Sequence, residues 1–233
     1  MGKKLGILGG MGPLASAEFL ATVYRLNLTE PEQDAPNCVL LSDPTFPDRT
    51  EAILAGATEE LTSRLETALG ELLRQGADRI VIACITIHHV LPKVSGPLRR
   101  KVISLLDLMV EGVLASPRPR LLLSTIGTRT ARIFESHERW EEISRWMVCP
   151  GEDDQRALHD WIYALKAGQP EDDCLAWIEG LPERYGVEGL LFGCTEFHLL
   201  LRRMRARSST GWDVIDPLWI AARDLRTLLG PAT

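Results

Sequence analysis

Short apolar runs alternate with longer amphipathic segments along the whole chain. A short apolar run bounded by glycine, proline or polar residues predicts a buried strand, whereas apolar residues three or four positions apart predict one face of a helix. The predicted strands are residues 3–8, 38–41, 79–83, 102–106, 121–124, 146–149, 190–193 and 212–216. The predicted helices are residues 14–26, a long helix through Leu61, Leu65, Leu69 and Leu72, and residues 153–166, 171–185 and 217–229.

This alternation predicts an α/β fold with parallel sheets and helices on both faces. A second unit starts near residue 101. There, the strand at 121–124 leads into Thr125-Ile-Gly-Thr128, much as the first strand leads into the glycine-rich turn at residues 9–13. No low-complexity linker separates the two units. We therefore expect two closely packed lobes.

Two cysteines hold matching places in these units. Cys84 and Cys194 each lie eight residues after a glycine, with an apolar run between and polar residues directly after. The carboxyl ends of parallel strands are where open α/β sheets place their chemistry. A single buried thiol is by default an inert packing residue. Two thiols at matched strand ends instead predict two faces of one site.

Two facing thiols suit the racemisation of an amino acid without pyridoxal phosphate. That reaction needs a base on one face of the α-carbon and an acid on the other, and a thiolate with a thiol supplies both. A free thiol has a pKa of about 8.5, so hydrogen-bond donors, a helix N-terminus or a cationic substrate must favour the thiolate. The substrate carboxylate must also be neutralised, and the N–H groups of the turn at Gly10, with Thr86, Thr128 and Thr195, are candidates.

Composition and charge disfavour several classes of function. The chain has 233 residues, 45% of them hydrophobic, and a formal net charge of −6, which disfavours general binding to nucleic acid or to membrane surfaces. No apolar run approaches the roughly 18 residues of a membrane span, and no signal peptide is expected. The five cysteines form neither CxxC pairs nor a metal-ligand pattern, so we expect a cytoplasmic protein with reduced thiols and no metal.

Three other patterns each allow a plain and a functional interpretation. The glycines of residues 10–15 match the spacing of dinucleotide-binding turns. Such turns also need an acidic residue about twenty positions on, at the end of the next strand, and Asp43 lies too far along, in a proline-rich loop. The turn therefore predicts a site for a small carboxylate. Arg49, in the loop after the second strand, is either a solvated charge or a clamp for a carboxylate. His88 and His89 are predicted to be packing or helix-start residues rather than metal ligands.

Taken together, these motifs resemble the aspartate/glutamate racemase superfamily, and its aspartate racemase branch most closely, over essentially the whole chain. The matching stretches are Leu8-Gly-Gly-Met-Gly-Pro13, Asp43-Pro-Thr-Phe-Pro-Asp-Arg-Thr50, Cys84-Ile-Thr-Ile-His88, Lys166-Ala-Gly168, Gly193-Cys-Thr-Glu196 and Ile215-Asp-Pro217. The resemblance implies two flavodoxin-like lobes related by a pseudo-twofold axis, a site between them, a homodimer and no cofactor. Residues 1–100 plus 210–233 would form the first lobe and residues 101–209 the second.

The same resemblance assigns roles to individual residues. Cys84 and Cys194 would be the two acid/base groups acting on an acidic amino acid, aspartate before glutamate. The other implied site residues are Arg49 and Lys166 at the side-chain carboxylate, Thr86 and Thr195 at the α-carboxylate, Met11, Ile85 and Thr128 at the substrate, and Glu196 beside the second cysteine.

Residue 85 departs from the family pattern. The family reads C-N-T at the first cysteine, whereas this chain has Cys84-Ile85-Thr86. Losing a hydrogen bond to a charged group costs about 1.5–3 kcal/mol, which weakens a reaction without abolishing it. We therefore expect Ile85→Asn to raise turnover of aspartate or glutamate. The alternative is that Ile85 belongs to a pocket for a different substrate.

Other functions stay open at this point. One is another isomerase of the superfamily with an altered substrate, such as a cis–trans isomerase of dicarboxylates. Decarboxylases of this kind keep only the second cysteine, so the presence of Cys84 counts against them. A second is a non-catalytic protein that binds an acidic amino acid. A redox pair is a poorer third choice, because thiols on two sides of a substrate are too far apart for a disulfide.

Overall fold

Two parallel four-stranded sheets form the centre of the computed structural model, which describes residues 2–206 and 213–230. The strands are β1 (Lys4–Gly9), β2 (Asn37–Ser42), β3 (Arg79–Ile82), β4 (Val102–Ile103), β5 (Arg120–Ser124), β6 (Met147–Val148), β7 (Gly189–Gly193) and β8 (Asp213–Ile215). The first sheet has the order β2-β1-β3-β4 and the second has the order β6-β5-β7-β8. The second sheet repeats the strand order of the first, which confirms the predicted α/β fold with two related lobes.

Two short strands lie in a different sheet from the one that the predicted lobe boundaries give them. Strand β4 pairs with β3, so residues 102–103 extend the first sheet, although the second lobe was predicted to start at residue 101. Strand β8 pairs with β7, so residues 213–215 extend the second sheet rather than the first. Each strand returns beside the cysteine strand that precedes it, because short connections place consecutive parallel strands side by side. Of residues 210–233, which were predicted to belong to the first lobe, residues 210–212 and 231–233 lie outside the described residues. The first residue of the predicted last strand, Trp212, is among them.

Helices connect these strands. They are α1 (Pro13–Asn27), α2 (Arg49–Leu54), α3 (Glu59–Arg74), α4 (Gly96–Arg99), α5 (Leu105–Ala115), α6 (Ile126–Thr130), α7 (Trp140–Ile143), α8 (Glu152–Lys166), α9 (Glu171–Glu179), α10 (Leu181–Tyr185), α11 (His198–Ala206), α12 (Pro217–Arg223) and α13 (Leu225–Leu229). Among the described helices, none is both long and apolar enough to cross a membrane.

The two longest helices of the first lobe begin and end as their sequences predict. Helix α1 starts at Pro13, whose fixed φ and missing N–H suit the first helical position. Helix α3 buries the predicted leucine face, including Leu65 and Leu69. Gly76 follows it with a φ of 86°, a left-handed conformation that favours glycine after a helix.

Several predicted boundaries are wrong for identifiable local reasons. Residues 105–106 begin α5 instead of ending a strand, because the Ser104 hydroxyl accepts the Asp107 N–H and caps a helix there. The proline-containing segment after β2 ends in α2, which the Asp48 side chain caps in the same way. The predicted helix at 171–185 is divided at Gly180, and the predicted helix at 217–229 is divided at Asp224.

One hydrophobic core is shared by the two lobes. It contains residues from both sheets, among them Leu5 of β1, Val81 of β3, Leu122 of β5 and Leu191 of β7. Helix α12 follows β8 of the second sheet but packs against α1 of the first lobe and against α5, the helix that connects the two sheets. Because a close-packed core is rigid, this sharing fixes the carboxyl ends of the two cysteine strands relative to each other.

Candidate active site

The two predicted cysteines lie at equivalent ends of the two sheets. Cys84 follows β3, Cys194 follows β7, and each begins a segment that leads into a short 3-10 helix. We call these segments the Cys84 turn (residues 84–89) and the Cys194 turn (residues 194–198, ending on the first residue of α11). The two side chains are buried, at 5% and 4% exposure. The thiols therefore stand at the sheet edge predicted for the site, shielded from bulk water.

A guanidinium group accompanies Cys84. The Arg49 side chain is buried and lies close enough to Cys84 for the two groups to interact electrostatically. Its Nη2 also donates to the Met11 carbonyl at 3.1 Å, which ties helix α2 to the glycine-rich turn. Burial opposes the charge of Arg49, but the charges of an ionised Cys84, Asp48 and Glu196 outweigh it and raise the arginine pKa above its ordinary value.

A carboxylate accompanies Cys194 instead. The Cys194 thiol donates to Glu196 Oε2 at 2.8 Å, and Glu196 is itself buried. Burial, followed by the charge of Glu196, raises the pKa of Cys194 well above its ordinary value, although Lys166 acts in the opposite direction. This arrangement favours the protonated thiol.

Glu196 has little room to move. Its Oε1 atom is buried without a hydrogen-bond partner. A Cβ atom added to Gly12, the residue before α1, would lie 2.5 Å from that oxygen. Glycine at position 12 is therefore required if the carboxylate is to keep its place beside Cys194. The free oxygen is also an acceptor that remains available in a buried site.

Hydroxyl groups from both lobes meet behind the two thiols. Thr86 bonds to Thr125 at 3.2 Å and to Thr128 at 3.1 Å, which joins the Cys84 turn to helix α6 of the second lobe. The Thr195 hydroxyl donates to the Ala83 carbonyl at 3.1 Å, which joins the Cys194 turn to the end of β3. All three predicted threonines thus come together with the cysteines, although the hydroxyl proton of Thr195 is used within the protein.

A cavity of about 250 Å³ forms the mouth of the site, and it is lined in part by Lys166, the second cation predicted for the site. Its lining includes Met11, Gly12, Asp48, Arg49 and Lys166. The structure therefore brings Arg49 and Lys166, which are 117 residues apart in the sequence, to one opening.

A tyrosine and an aspartate cross this mouth. The Tyr163 hydroxyl donates to Asp48 Oδ2 at 2.7 Å, and Lys166 Nζ lies 4.4 Å from the centre of the Tyr163 ring. Burial opposes ionisation of Asp48, but hydrogen bonds from the Glu51 N–H and from Tyr163, followed by the charges of Lys166 and Arg49, outweigh it. They hold the pKa of Asp48 below its ordinary value. The cations of the mouth are thus partly balanced by one internal carboxylate.

Ile85 lies apart from the mouth. Its side chain is 1% exposed and belongs to the hydrophobic core shared by the lobes, together with Phe19, Phe134 and Leu218. His88 is also a packing residue, because Nδ1 is 2.9 Å from the Cys84 carbonyl and Nε2 accepts the Leu105 N–H. Burial lowers the pKa of His88, so its ring is neutral at pH 7.

Sequence reasoning missed several residues of this site. Thr125 could have been found from its place three residues before Thr128, a spacing typical of a helix N-cap, and Tyr163 from its place one helical turn before Lys166. Nothing in the local sequence indicates that Asp48 meets Tyr163, because the two are 115 residues apart. In residues 2–206 and 213–230, no group of three His, Cys, Asp or Glu side chains is placed to hold a metal ion.

Comparisons with known proteins identify the family and the fold. A family model described as Asp/Glu/Hydantoin racemase matches residues 8–225. The aspartate racemase of Picrophilus torridus is similar over 96% of this chain and 94% of its own, with 27% identity and a TM-score of 0.79. An aspartate racemase homologue from Pyrococcus horikoshii OT3 covers 97% of this chain and 99% of its own, with 25% identity and a TM-score of 0.70. The allantoin racemase of Klebsiella pneumoniae, at 13% identity and a TM-score of 0.56 over 97% of this chain and 87% of its own, shares the fold.

Proposed function

The chain belongs to the Asp/Glu/hydantoin racemase family, and on that premise we propose that it is a cofactor-independent racemase of an acidic amino acid, aspartate first and glutamate second. One observation carries this proposal. The two buried thiols at matching strand ends have partners of opposite charge, Arg49 at Cys84 and Glu196 at Cys194. Such a pair holds one thiol ready to accept a proton and the other ready to donate one.

The proton transfers follow from these partners. The Cys84 thiolate, stabilised by Arg49, takes the α-proton from one face of the substrate and becomes a thiol. The electron pair left on the α-carbon then takes the proton of the Cys194 thiol from the other face, which leaves a Cys194 thiolate and the opposite enantiomer. Glu196 keeps Cys194 protonated until this step. In the reverse direction the thiols exchange roles, which is the acid/base pairing that racemisation requires.

The cations at the mouth support an acidic substrate. Arg49 and Lys166 face one opening, which Asp48 also lines. A side-chain carboxylate bound between the two cations would form charge-assisted hydrogen bonds, which are stronger than neutral ones. The hydroxyls of Thr86 and Thr128 are the candidates for the α-carboxylate, because they lie beside the Cys84 turn.

A second candidate is a racemase or isomerase of the same family with a different substrate. The observation in its favour is Ile85, which stands where the family has an amide. Without that amide, the site has one hydrogen-bonding group fewer with which to select aspartate.

Chiral chromatography of a substrate panel tests both candidates. The panel contains both enantiomers of aspartate, glutamate, asparagine, glutamine and alanine, together with a hydantoin. We expect aspartate to be interconverted fastest and alanine slowest. Interconversion confined to the neutral or cyclic compounds would favour the second candidate. Binding of aspartate by calorimetry without any interconversion would identify a non-catalytic binding protein.

A further inference from the structure

Both cysteine turns contain the spacing C-x-x-x-H. His88 follows Cys84 by four residues, and His198 follows Cys194 by four residues. Both histidines are buried, at 4% and 2% exposure. Each also reaches the start of the helix that follows the fourth strand of its own sheet, α5 for His88 and α12 for His198. The two lobes therefore repeat a histidine as well as a thiol.

The partners of His88 are backbone groups of the first lobe. Nδ1 is 2.9 Å from the carbonyl of Cys84 itself, and Nε2 accepts the N–H of Leu105, the first residue of α5. Since Nε2 is an acceptor, the proton lies on Nδ1 and is donated to the Cys84 carbonyl. His88 thus holds the backbone of Cys84 against the N-terminus of α5.

The partners of His198 are side chains of other elements. Nδ1 lies 2.6 Å from Asp216 Oδ2, and Nε2 lies 3.0 Å from the hydroxyl of Thr22. The other oxygen of Asp216 accepts the N–H groups of Leu218 and Trp219 at the start of α12. Thr22 and Asp216 are also buried, so the bonds are shielded from solvent. One ring therefore connects the Cys194 turn to α12 and to α1.

The bond to α1 matters because that helix begins in the site. Gly12, just before α1, stands against Glu196 Oε1, and Glu196 holds the proton-bearing Cys194 thiol. A shift of the Cys194 turn relative to α1 would therefore change the distance between the carboxylate and the thiol, or drive the carboxylate against Gly12. The hydrogen bond between His198 and Thr22 is a direct polar bond between these two elements.

We propose that His198 is a positioning residue for Cys194 and Glu196, and that it is the second-lobe counterpart of His88 at Cys84. It fixes the Cys194 turn between α1 and α12 and touches no reacting atom. The catalytic consequence rests on the proposed racemase function. The structural consequence, a Cys194 turn that becomes more mobile when the His198 ring is removed, does not depend on that function.

Three substitutions separate the two bonds of His198. Asn at position 198 can still donate to Asp216, Gln can reach toward Thr22, and Leu makes neither bond. The matched control is His88→Leu, which removes the equivalent ring from the Cys84 turn. Hydrogen exchange is measured on peptides that span residues 83–89 and 193–199 in each variant. The α-proton exchange of each substrate enantiomer in deuterium oxide is followed in parallel. The enantiomer that depends on Cys194 is identified as the one whose exchange survives in Cys84→Ser.

In His198→Leu we expect exchange at residues 193–199 to rise about 10- to 100-fold, the equivalent of a lost hydrogen bond to a charged group, with residues 83–89 unchanged. His88→Leu should give the reverse pattern. The kcat for the Cys194-dependent enantiomer should fall about 100-fold with a smaller change in KM, because small misplacements of reacting groups cost that much. His198→Gln, which can keep the bond to Thr22 of α1, should recover most of this loss, and His198→Asn should recover less.

These experiments distinguish failure of the positioning role of His198 from failure of the proposed racemase function. If no amino acid is racemised by the wild type, the proposed function fails, and the two peptides still decide whether His198 holds the Cys194 turn. Equal loosening of both peptides in His198→Leu, or a His198→Gln variant no better than the Leu variant, would overturn the positioning role. Should His198→Leu not fold, Thr22→Val breaks only the bond to α1, and it must loosen residues 193–199 selectively for the proposal to stand.

Discussion

The Cys84 turn and the Cys194 turn have the same place in the fold and opposite surroundings. Each follows the third strand of its sheet, and each carries a buried thiol. The first thiol has a guanidinium beside it, from Arg49, and the second has a carboxylate, from Glu196. The repeated fold thus supplies two equivalent positions, and the residues around them give the two sulfurs charged partners of opposite sign.

The residues that follow the two cysteines differ in the same way. Thr195 comes directly after Cys194, and its hydroxyl reaches across to the Ala83 carbonyl of the other lobe. Ile85 comes directly after Cys84 and packs into the shared hydrophobic core. Directly after the cysteine, the second-lobe turn is therefore held by a side-chain hydrogen bond and the first-lobe turn by apolar packing. Two turns with equivalent places in the backbone fold can therefore be held by different interactions.

The largest expected effect comes from removing either sulfur. Ser in place of Cys84 or of Cys194 should lower interconversion of the enantiomers by at least about 10²- to 10⁴-fold, the contribution of a positioned acid or base. Each variant should retain α-proton exchange of one enantiomer, and the two variants should retain opposite ones. Chiral chromatography and proton NMR measure the two quantities. The control is Cys38→Ser, which changes a half-buried thiol outside the site.

A double Cys84→Ser, Cys194→Ser protein that still racemises its substrate would remove the basis of the comparison. Two single variants that both retain exchange of the same enantiomer would show that the thiols do not face opposite sides of the substrate.

Changing Arg49 tests the cationic half of the comparison. Arg49→Met removes the charge beside Cys84 and the bond to the Met11 carbonyl, and we expect kcat/KM to fall about 10- to 100-fold. Arg49→Lys keeps the charge but not the planar guanidinium group, so its kcat/KM should lie between those of the wild type and of Arg49→Met. Arg64→Met is the matched control, because Arg64 lies over the Phe46 ring and pairs with Asp43. Equal losses at positions 49 and 64 would contradict a specific role for Arg49.

Ile85→Asn tests whether residue 85 belongs to the site or to the core. The sequence predicts a gain of turnover, but the buried packing of Ile85 leads us to expect a loss of stability of about 1–3 kcal/mol, the cost of an unsatisfied buried polar group. Chemical denaturation and kinetics on both enantiomers of aspartate and glutamate measure the two effects. Ile85→Val, which keeps an apolar side chain, is the control. Higher turnover without a loss of stability would place residue 85 at the substrate.

Glu196→Gln gives the smallest effect at neutral pH and the clearest pH dependence. Cys194 must be protonated to act as the acid, and the charge of Glu196 is one of the causes that raise its pKa. Removing that charge lowers the thiol pKa, so the protonated form is lost at a lower pH than in the wild type. The alkaline limb of the pH–rate profile should therefore move to lower pH in the direction in which Cys194 is the acid. A limb that stays in place, or moves to higher pH, would contradict the assigned role of Glu196.

Much of the fold could be predicted from the repeated pattern of apolar and polar residues along the chain. Apolar runs of four to six residues identify most strands, and the matched glycine and cysteine positions reveal the second lobe. The paired short strands β4 and β8 are harder, because two or three residues carry no periodic signal and only their partners in the sheet define them. Helix α2 was missed because its cap, Asp48, lies among prolines that indicate a loop.

The site was predictable only in part. Cysteines at strand ends and an arginine in the adjoining loop could be found from local sequence and from the family resemblance. The hydrogen bonds from Tyr163 to Asp48 and from Thr22 to His198 join residues more than 100 positions apart. The burial of Ile85 in the core likewise depends on helices from both ends of the chain. Such contacts follow from the packing of the lobes, which no local pattern encodes.

The position of solvent deuterium in the product tests the central claim most directly. Wild-type protein is incubated with one enantiomer of aspartate, or of the best substrate in the panel, in deuterium oxide, and both enantiomers are separated at low conversion and analysed by mass spectrometry. Two thiols on opposite faces of the substrate, one acting as base and the other as acid, predict that the newly formed enantiomer carries one deuterium at the α-carbon while the remaining substrate still carries protium. A product that retains the original proton would show one base acting on both faces and would contradict the account.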